Sequence, residues 1–181
     1  DGVVSLEFRF RSKAIVHSPD DLIPICDQFW DEAKGYLYDP HQFKRWFVDL
    51  RRNDLVEKLE LATKESSWDV GLDKFLHSIK PGLPNPVIEV LTQNSRLENY
   101  NYQSENLPRP QIEIRNEGRG CCYGSVQTNA RWLSVRQSYF AVPPGGICVI
   151  ELQTNPGEFV WETSHSAQVE VITNSHNRPE Q

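Results

Sequence analysis

Two adjacent cysteines, Cys121 and Cys122, sit behind a run of glycines in NEGRGCCYG, residues 116–124. Neighbouring thiols could serve metal or redox chemistry, but each use has its own spacing. A zinc site wants CxxC-type pairs with matching ligands, and the remaining cysteines, Cys26 and Cys148, stand far away in the chain. A disulfide between neighbours demands a strained peptide geometry. In an alternating strand, Cys122 would face a core as a small hydrophobe and Cys121 would face the other way. No lysine follows the last glycine and no helix should open there, so a phosphate-binding loop is disfavoured. The glycines suit a turn or bulge and a close strand approach.

The other reactive side chains are scattered. His17, His41, His77, His165 and His176 show no i, i+4 metal spacing. His165 lies between two serines, without the glycine pattern of a nucleophile elbow. The carboxylate pairs Asp20/Asp21 and Asp31/Glu32 fall where helix starts and solvated faces want them. The expectation is no catalytic group, no metal and no cofactor. Lys44, Arg45, Arg51 and Arg52 are different: they could form a basic patch for an acidic or phosphorylated partner. The plainer reading is a solvated face balanced by Asp49, Asp54 and Glu57.

The elements that would carry these residues fall into two groups. Val4, Leu6, Phe8 and Phe10 alternate with Glu7, Arg9 and Arg11, which predicts a half-buried strand, and residues 14–16 could pair back on it. Ser18, Pro19, Asp20 and Asp21 then open a helix with stripe residues Leu22, Ile25, Cys26, Phe29, Trp30 and Ala33. Pro24 should kink it and Gly35 should stop it. Asp39 is expected to cap a second helix, with Pro40 at its first position and Phe43, Trp46, Phe47 and Leu50 buried. Asn53 and Ser67 are candidate caps for a third and a fourth, the last burying Trp68, Leu72, Phe75, Leu76 and Ile79. None of these helices is long enough to stand alone, so they must pack together.

From Val87 onward, short strand-like runs alternate with turns, as in a small antiparallel sandwich. The polar stretch from Leu91 to Pro108 carries little strand signal. All seven lysines and all ten aspartates precede position 81, and the prolines of residues 80–86 favour an extended connector. This shift marks two modules. The formal charge of −6 argues against non-specific nucleic-acid binding, and no run approaches the roughly 18 apolar residues of a membrane span. The absence of methionine suggests a processed product or a piece of a larger protein.

The stretch IEIRNEGRGCCYGSVQTNARWLSV, residues 112–135, resembles sandwich modules of bacterial multidomain proteins with an Asn-x-Gly-x-Gly-x-Leu-x-Gly-x-Val…Trp-Leu-x-Val pattern. Asn116, Gly118, Gly120, Gly124, Val126, Trp132, Leu133 and Val135 fill its slots, while Cys122 replaces the leucine. VITNS, residues 171–175, resembles the turn after the last strand of such modules, and the helical part resembles the module that commonly precedes them. These residues are structural. The resemblance implies an Ig-like fold and a setting beside Ser/Thr kinase-like or Hsp70-like domains, not a reaction.

Together these readings predict an α+β multidomain chain. Residues 1–80 form a β-hairpin with a helical module, 81–86 a linker, 87–175 an Ig-like β-sandwich and 176–181 a polar tail. Asn116, Gly118, Gly120, Gly124 and Trp132 are its expected structural turn and core residues. The expected function is non-catalytic docking of a protein partner, or of neighbouring domains, at a sheet edge or inter-module groove. Neither nucleic acid nor a membrane span is expected. Cys26 lies outside the sandwich and leaves it an odd count of thiols, which favours a reduced, cytoplasmic setting. The rivals are a carbohydrate-type sandwich using Tyr100, Tyr102, Tyr123 and Tyr139 as platforms, and an enzyme with its site between the modules.

Overall fold

The computed structural model describes residues 6–39, 41–93, 107, 109–160 and 163–175. It is an α+β structure: a short antiparallel hairpin, five helices, then antiparallel sheets. The chain divides into two compact units, one of residues 1–84 with 119–121, the other of residues 85–118 with 122–181. Thus Arg119–Cys121 belongs with the helices, a discontinuity that sequence order hides. The expected tail 176–181 and the platform residues Tyr100 and Tyr102 lie outside the described residues.

In the first unit β1 (Phe8–Arg9) pairs with β2 (Ile15–Val16), Phe8 opposite Val16. Phe8 and Phe10 are buried among aromatic rings, with Tyr36 at 5.2 and 5.1 Å from the two rings and Phe43 at 5.0 Å from Phe8. Trp46 donates its indole N–H to the Leu6 carbonyl at 2.8 Å, so one of the larger rings keeps its polar atom satisfied while buried.

The first expected helix is instead two. After a capped 3-10 turn, Pro19–Asp21, come α1 (Leu22–Gln28) and α2 (Trp30–Tyr38). Pro24 lies in the first turn of α1, where its missing N–H removes no intrahelical bond. The break falls at Phe29, whose φ of −120° and ψ of 54° are not helical and whose ring lies 6.3 Å from that of Phe10. Gly35 does not end α2. The helix runs on to Tyr38 and stops at Asp39, which is extended, as the residue before a proline prefers. Asp39 is not the cap of the next helix, because that helix starts only at Gln42 and leaves Asp39 two residues short of the cap position. His41, with a left-handed φ of 61°, precedes α3 (Gln42–Asp49); Pro40 lies outside the described residues.

Helix α3 ends in a Schellman motif. Arg51 takes the left-handed position at φ 56°, its N–H donates to Val48 O at 2.9 Å, and Arg52 N–H donates to Phe47 O at 2.9 Å. Helix α4 (Asn53–Ala62) has Arg52 in the cap position and Asn53 one place inside. Helix α5 (Trp68–Ile79) is capped by Ser67 as expected, its hydroxyl accepting from Val70 N–H at 3.4 Å. Trp68, expected in the core, is 47 % exposed and stacks on Tyr38 at 4.8 Å, at the N-terminal end of α5. Phe43, Phe47, Phe75, Leu55, Leu59 and Leu72 form the buried centre. Each such side chain contributes about 1.5–3 kcal/mol of burial.

The second unit is a sandwich of two antiparallel sheets around one core. Its strands are β3 (Ile88–Gln93), β4 (Gln111–Asn116), β5 (Cys122–Thr128), β6 (Leu133–Val135), β7 (Tyr139–Val142), β8 (Ile147–Thr154) and β9 (Val169–Thr173). One sheet runs β3-β4-β8-β6 and the other β7-β5-β9. Ile112, Ile114 and Ile150 from the first share the core with Cys122, Val126, Phe140 and Val142 from the second. The expected strandless stretch from Leu91 begins inside β3, and residues 94–106 and 108 lie outside the described residues.

The motif residues build a turn rather than a site. Asn116 is buried; its Nδ2 donates to Val142 O at 3.0 Å and its Oδ1 accepts from Gly118 N–H at 3.1 Å. A Cβ at Gly124 would stand 1.8 Å from Ile172 O, so β9 crosses β5 at a distance only glycine allows. Trp132, expected in the core, packs against it only from its margin. It sits in the turn before β6, half-buried, its ring 5.5 Å from Phe159 and 6.2 Å from His165. Outside the strand, it escapes the alternation that puts Leu133 in the core.

Candidate functional site

A group of linked ionisable side chains lies in the helical unit, around Arg119. Helix α1 supplies Asp27 and helix α5 supplies Asp73 and His77, the latter pair one turn apart. Arg119 grips Asp27 with two bonds, Nε to Oδ2 at 2.9 Å and Nη2 to Oδ1 at 3.1 Å, and its Nη1 donates to Pro84 O at 3.1 Å. Gly120 N–H also donates to Asp27 Oδ1 at 3.1 Å. Asp73, only 1 % exposed, accepts the Cys121 N–H on Oδ1 at 2.9 Å, while His77 Nε2 lies 3.6 Å from its Oδ2.

Electrostatics follow from that burial. Desolvation raises the Asp73 carboxyl above its ordinary value, with the charge of Asp27 adding to it, against the Cys121 N–H, His77 and Arg119. Burial likewise pushes the Cys26 thiol well up, so it is a poor nucleophile. Backbone N–H groups and a guanidinium occupy the carboxylates. Two surface clefts, one lined by Arg136 and Glu151 and one by Gln127 and Glu170, do not include them. The arrangement is well made for holding the Arg119–Cys121 segment on α1 and α5. Gly120 serves the same end, since its φ is 70° and a Cβ there would meet Asp73 Oδ1 at 2.6 Å. Sequence reading places Gly120 as structural but misses Asp27, Asp73 and Arg119, whose pairing spans 92 residues in the Arg119–Asp27 case.

The basic residues are placed along α3 and its end. Lys44 pairs with Glu60 at 2.7 Å. Arg52 forms a fork on Asp54, both bonds at 2.8 Å, and this hydrogen bonding lowers the Asp54 carboxyl to about 2. Arg45 and Arg51 are exposed, with no ion pair among the described residues. So Lys44 and Arg52 are already neutralised. His165 is engaged within its own loop, Nε2 donating to Val160 O at 2.8 Å and lying 3.1 Å from Thr163 Oγ1. Among the described residues no group of three His, Cys, Asp or Glu side chains could hold a metal ion, and no helix is long and apolar enough to cross a membrane.

The sandwich exposes a different kind of feature, an open strand. β9 has β5 on one side and, among the described residues, no strand on the other. Asn129 N–H donates to Gln168 O at 3.2 Å and Asn174 N–H to Tyr123 O at 3.1 Å. With the register Gln127–Glu170 and Ser125–Ile172, this parity turns the backbone groups of Glu170 and Ile172 toward β5. The N–H and C=O groups of Val169, Val171 and Thr173 therefore point outward from the sheet. The valine side chains lie on the core side, while Glu170 and Ile172 take the outer face, where Gln127 Nε2 donates to Glu170 Oε2 at 2.5 Å. Of the expected aromatic platforms, Tyr139 on β7 is 75 % exposed and Tyr123 is half-buried. No family model matches the chain, and no curated protein matches it.

Proposed function

We propose that this chain is a non-catalytic interaction region that docks an extended segment by strand addition at β9. The observation that carries it is the open edge: Val169, Val171 and Thr173 offer alternating donors and acceptors, with no strand opposite them among the described residues. Main-chain bonds to such an edge supply affinity, and alternating side-chain positions supply selectivity. The saturated Arg119 cluster supports the same reading, since its ionisable groups are engaged in holding backbone. An Ig-like module within a larger bacterial multidomain protein, in the cytoplasm, is the setting proposed with it, on the Asn116–Val135 motif. Selection from a random peptide display library tests the reading. Binders should slow amide exchange at Val169, Val171 and Thr173, and binders that leave those amides unchanged would overturn it.

One observation favours a second reading, a carbohydrate-type ligand site. Trp132, Phe159 and His165 gather their rings within 5.4–6.2 Å of one another at one end of the sandwich. Titration with a panel of oligosaccharides, read by tryptophan fluorescence, separates it from strand addition.

A further inference from the structure

Edge strands that must stay single are usually guarded by lysine, proline, a bulge or brevity. The other described edges of this sandwich carry such devices: β6 has 3 residues, β7 runs straight into Pro143 and Pro144, and β3 follows Pro86. β9 reads Val-Glu-Val-Ile-Thr, pairs in unbroken register, and has neither lysine nor proline. The whole chain beyond Lys80 lacks lysine. A β-branched, unguarded strand with a single charge is built to be paired.

We infer that its occupant is the same strand of a second copy of this chain, antiparallel across a two-fold axis at Val171. This inference rests on the strand-addition reading and names the partner. The bonding parity places the axis on a residue, and an axis at Val169 or Thr173 would overlap only the strand ends, which leaves the three central positions. An axis at Glu170 would face two carboxylates across the strands, which is repulsive. An axis at Ile172 would pair Val171 with Thr173 and leave Val169 unbonded. An axis at Val171 bonds Val171 to its own mate and Val169 to Thr173 of the other copy, so every outward group is used. It also sets each Glu170 opposite Ile172 of the second copy, apart from the other Glu170. The product is one continuous sheet, β7-β5-β9-β9-β5-β7, with the half-buried valines of both copies on one face. Two-fold self-pairing is the commonest way for a single patch to close on itself.

Sedimentation velocity over a range of protein concentrations tests this with register-specific variants. The native chain should show a concentration-dependent dimer. Ile172→Glu, on the exposed outer face, sets Glu opposite Glu170 of the second copy and should weaken the dimer by about tenfold or more. Adding Glu170→Lys to that variant sets Lys opposite Glu and should restore it. An unchanged circular dichroism spectrum and melting midpoint show each variant is folded. A native chain that stays monomeric at every concentration overturns the inference, and so does a dimer indifferent to Ile172→Glu or not rescued by the double change. If the monomer's β9 amides are still protected by selected peptides, only the identity of the occupant has failed; if they are not, the strand-addition reading falls as well.

Discussion

Asp73, on the second turn of α5, accepts the backbone N–H of Cys121 at 2.9 Å, a residue 48 positions further along the chain. The carboxyl is buried and its proton is held more tightly than usual, with desolvation as the main cause. In the folded state it therefore binds a proton over the window between its ordinary value and its raised one. Its stabilising contribution is full below the unfolded value and is lost as pH rises through the folded one. Asp73→Asn keeps an acceptor for Cys121 and removes the charge. Urea midpoints measured against pH should lose that falling slope, with stability at neutral pH changed by no more than about 1 kcal/mol. Asp73→Leu strands the Cys121 N–H and should cost about 1–3 kcal/mol.

Arg51 holds a left-handed φ of 56° at the end of α3. An L-residue there carries a strain of about 1 kcal/mol that glycine does not. Arg51→Gly should raise the melting midpoint, whereas Arg51→Ala should leave it nearly unchanged. Equal effects of the two changes would point to the lost charge instead of the backbone.

Thr154 ends β8 with a buried hydroxyl that has no hydrogen-bond partner among the described residues. Thr154→Val keeps the shape and removes the orphan group. Denaturant unfolding should show a gain of about 1 kcal/mol. A loss of stability would mean that the hydroxyl has a partner in solution.

At Gly124 even one added carbon collides with backbone, since Ile172 O would lie 1.8 Å away. Gly124→Ala should cost about 2–3 kcal/mol by prising β9 from β5. The amides of Glu170 and Ile172, which bond to β5, should lose exchange protection before those of β4.

Trp132, half-buried against Phe159 and His165, should cost less than a core tryptophan when truncated. We expect about 2 kcal/mol for Trp132→Ala, below the roughly 3–5 kcal/mol of full burial. A fully buried value in chemical denaturation would place it in the core after all.

Much of the architecture is legible because its signals are local. The stripe Phe43, Phe47 and the alternation Ile112, Ile114 announce their elements within a few residues. The helix break at Phe29 is not legible, because the apolar period runs straight through it and the break reflects packing near Phe10. The cap at His41 is hidden by an Asp-Pro pair that mimics a helix start. Asp27 and Asp73 look like ordinary surface carboxylates in the sequence, since their partners come from Arg119–Cys121. The open edge of β9 depends on strand order, which no single strand's pattern contains.

The assignment of Arg119–Cys121 to the helical unit sets an order on synthesis. A ribosome that has released residues 1–84 has delivered α1 to α5 but not the guanidinium for Asp27 or the N–H for Asp73. The nascent bundle must wait for residue 121 before Asp73 gains its backbone donor, through a growing stretch that already encodes β3 and β4. Vectorial folding of the first unit can thus finish only while the second is being made.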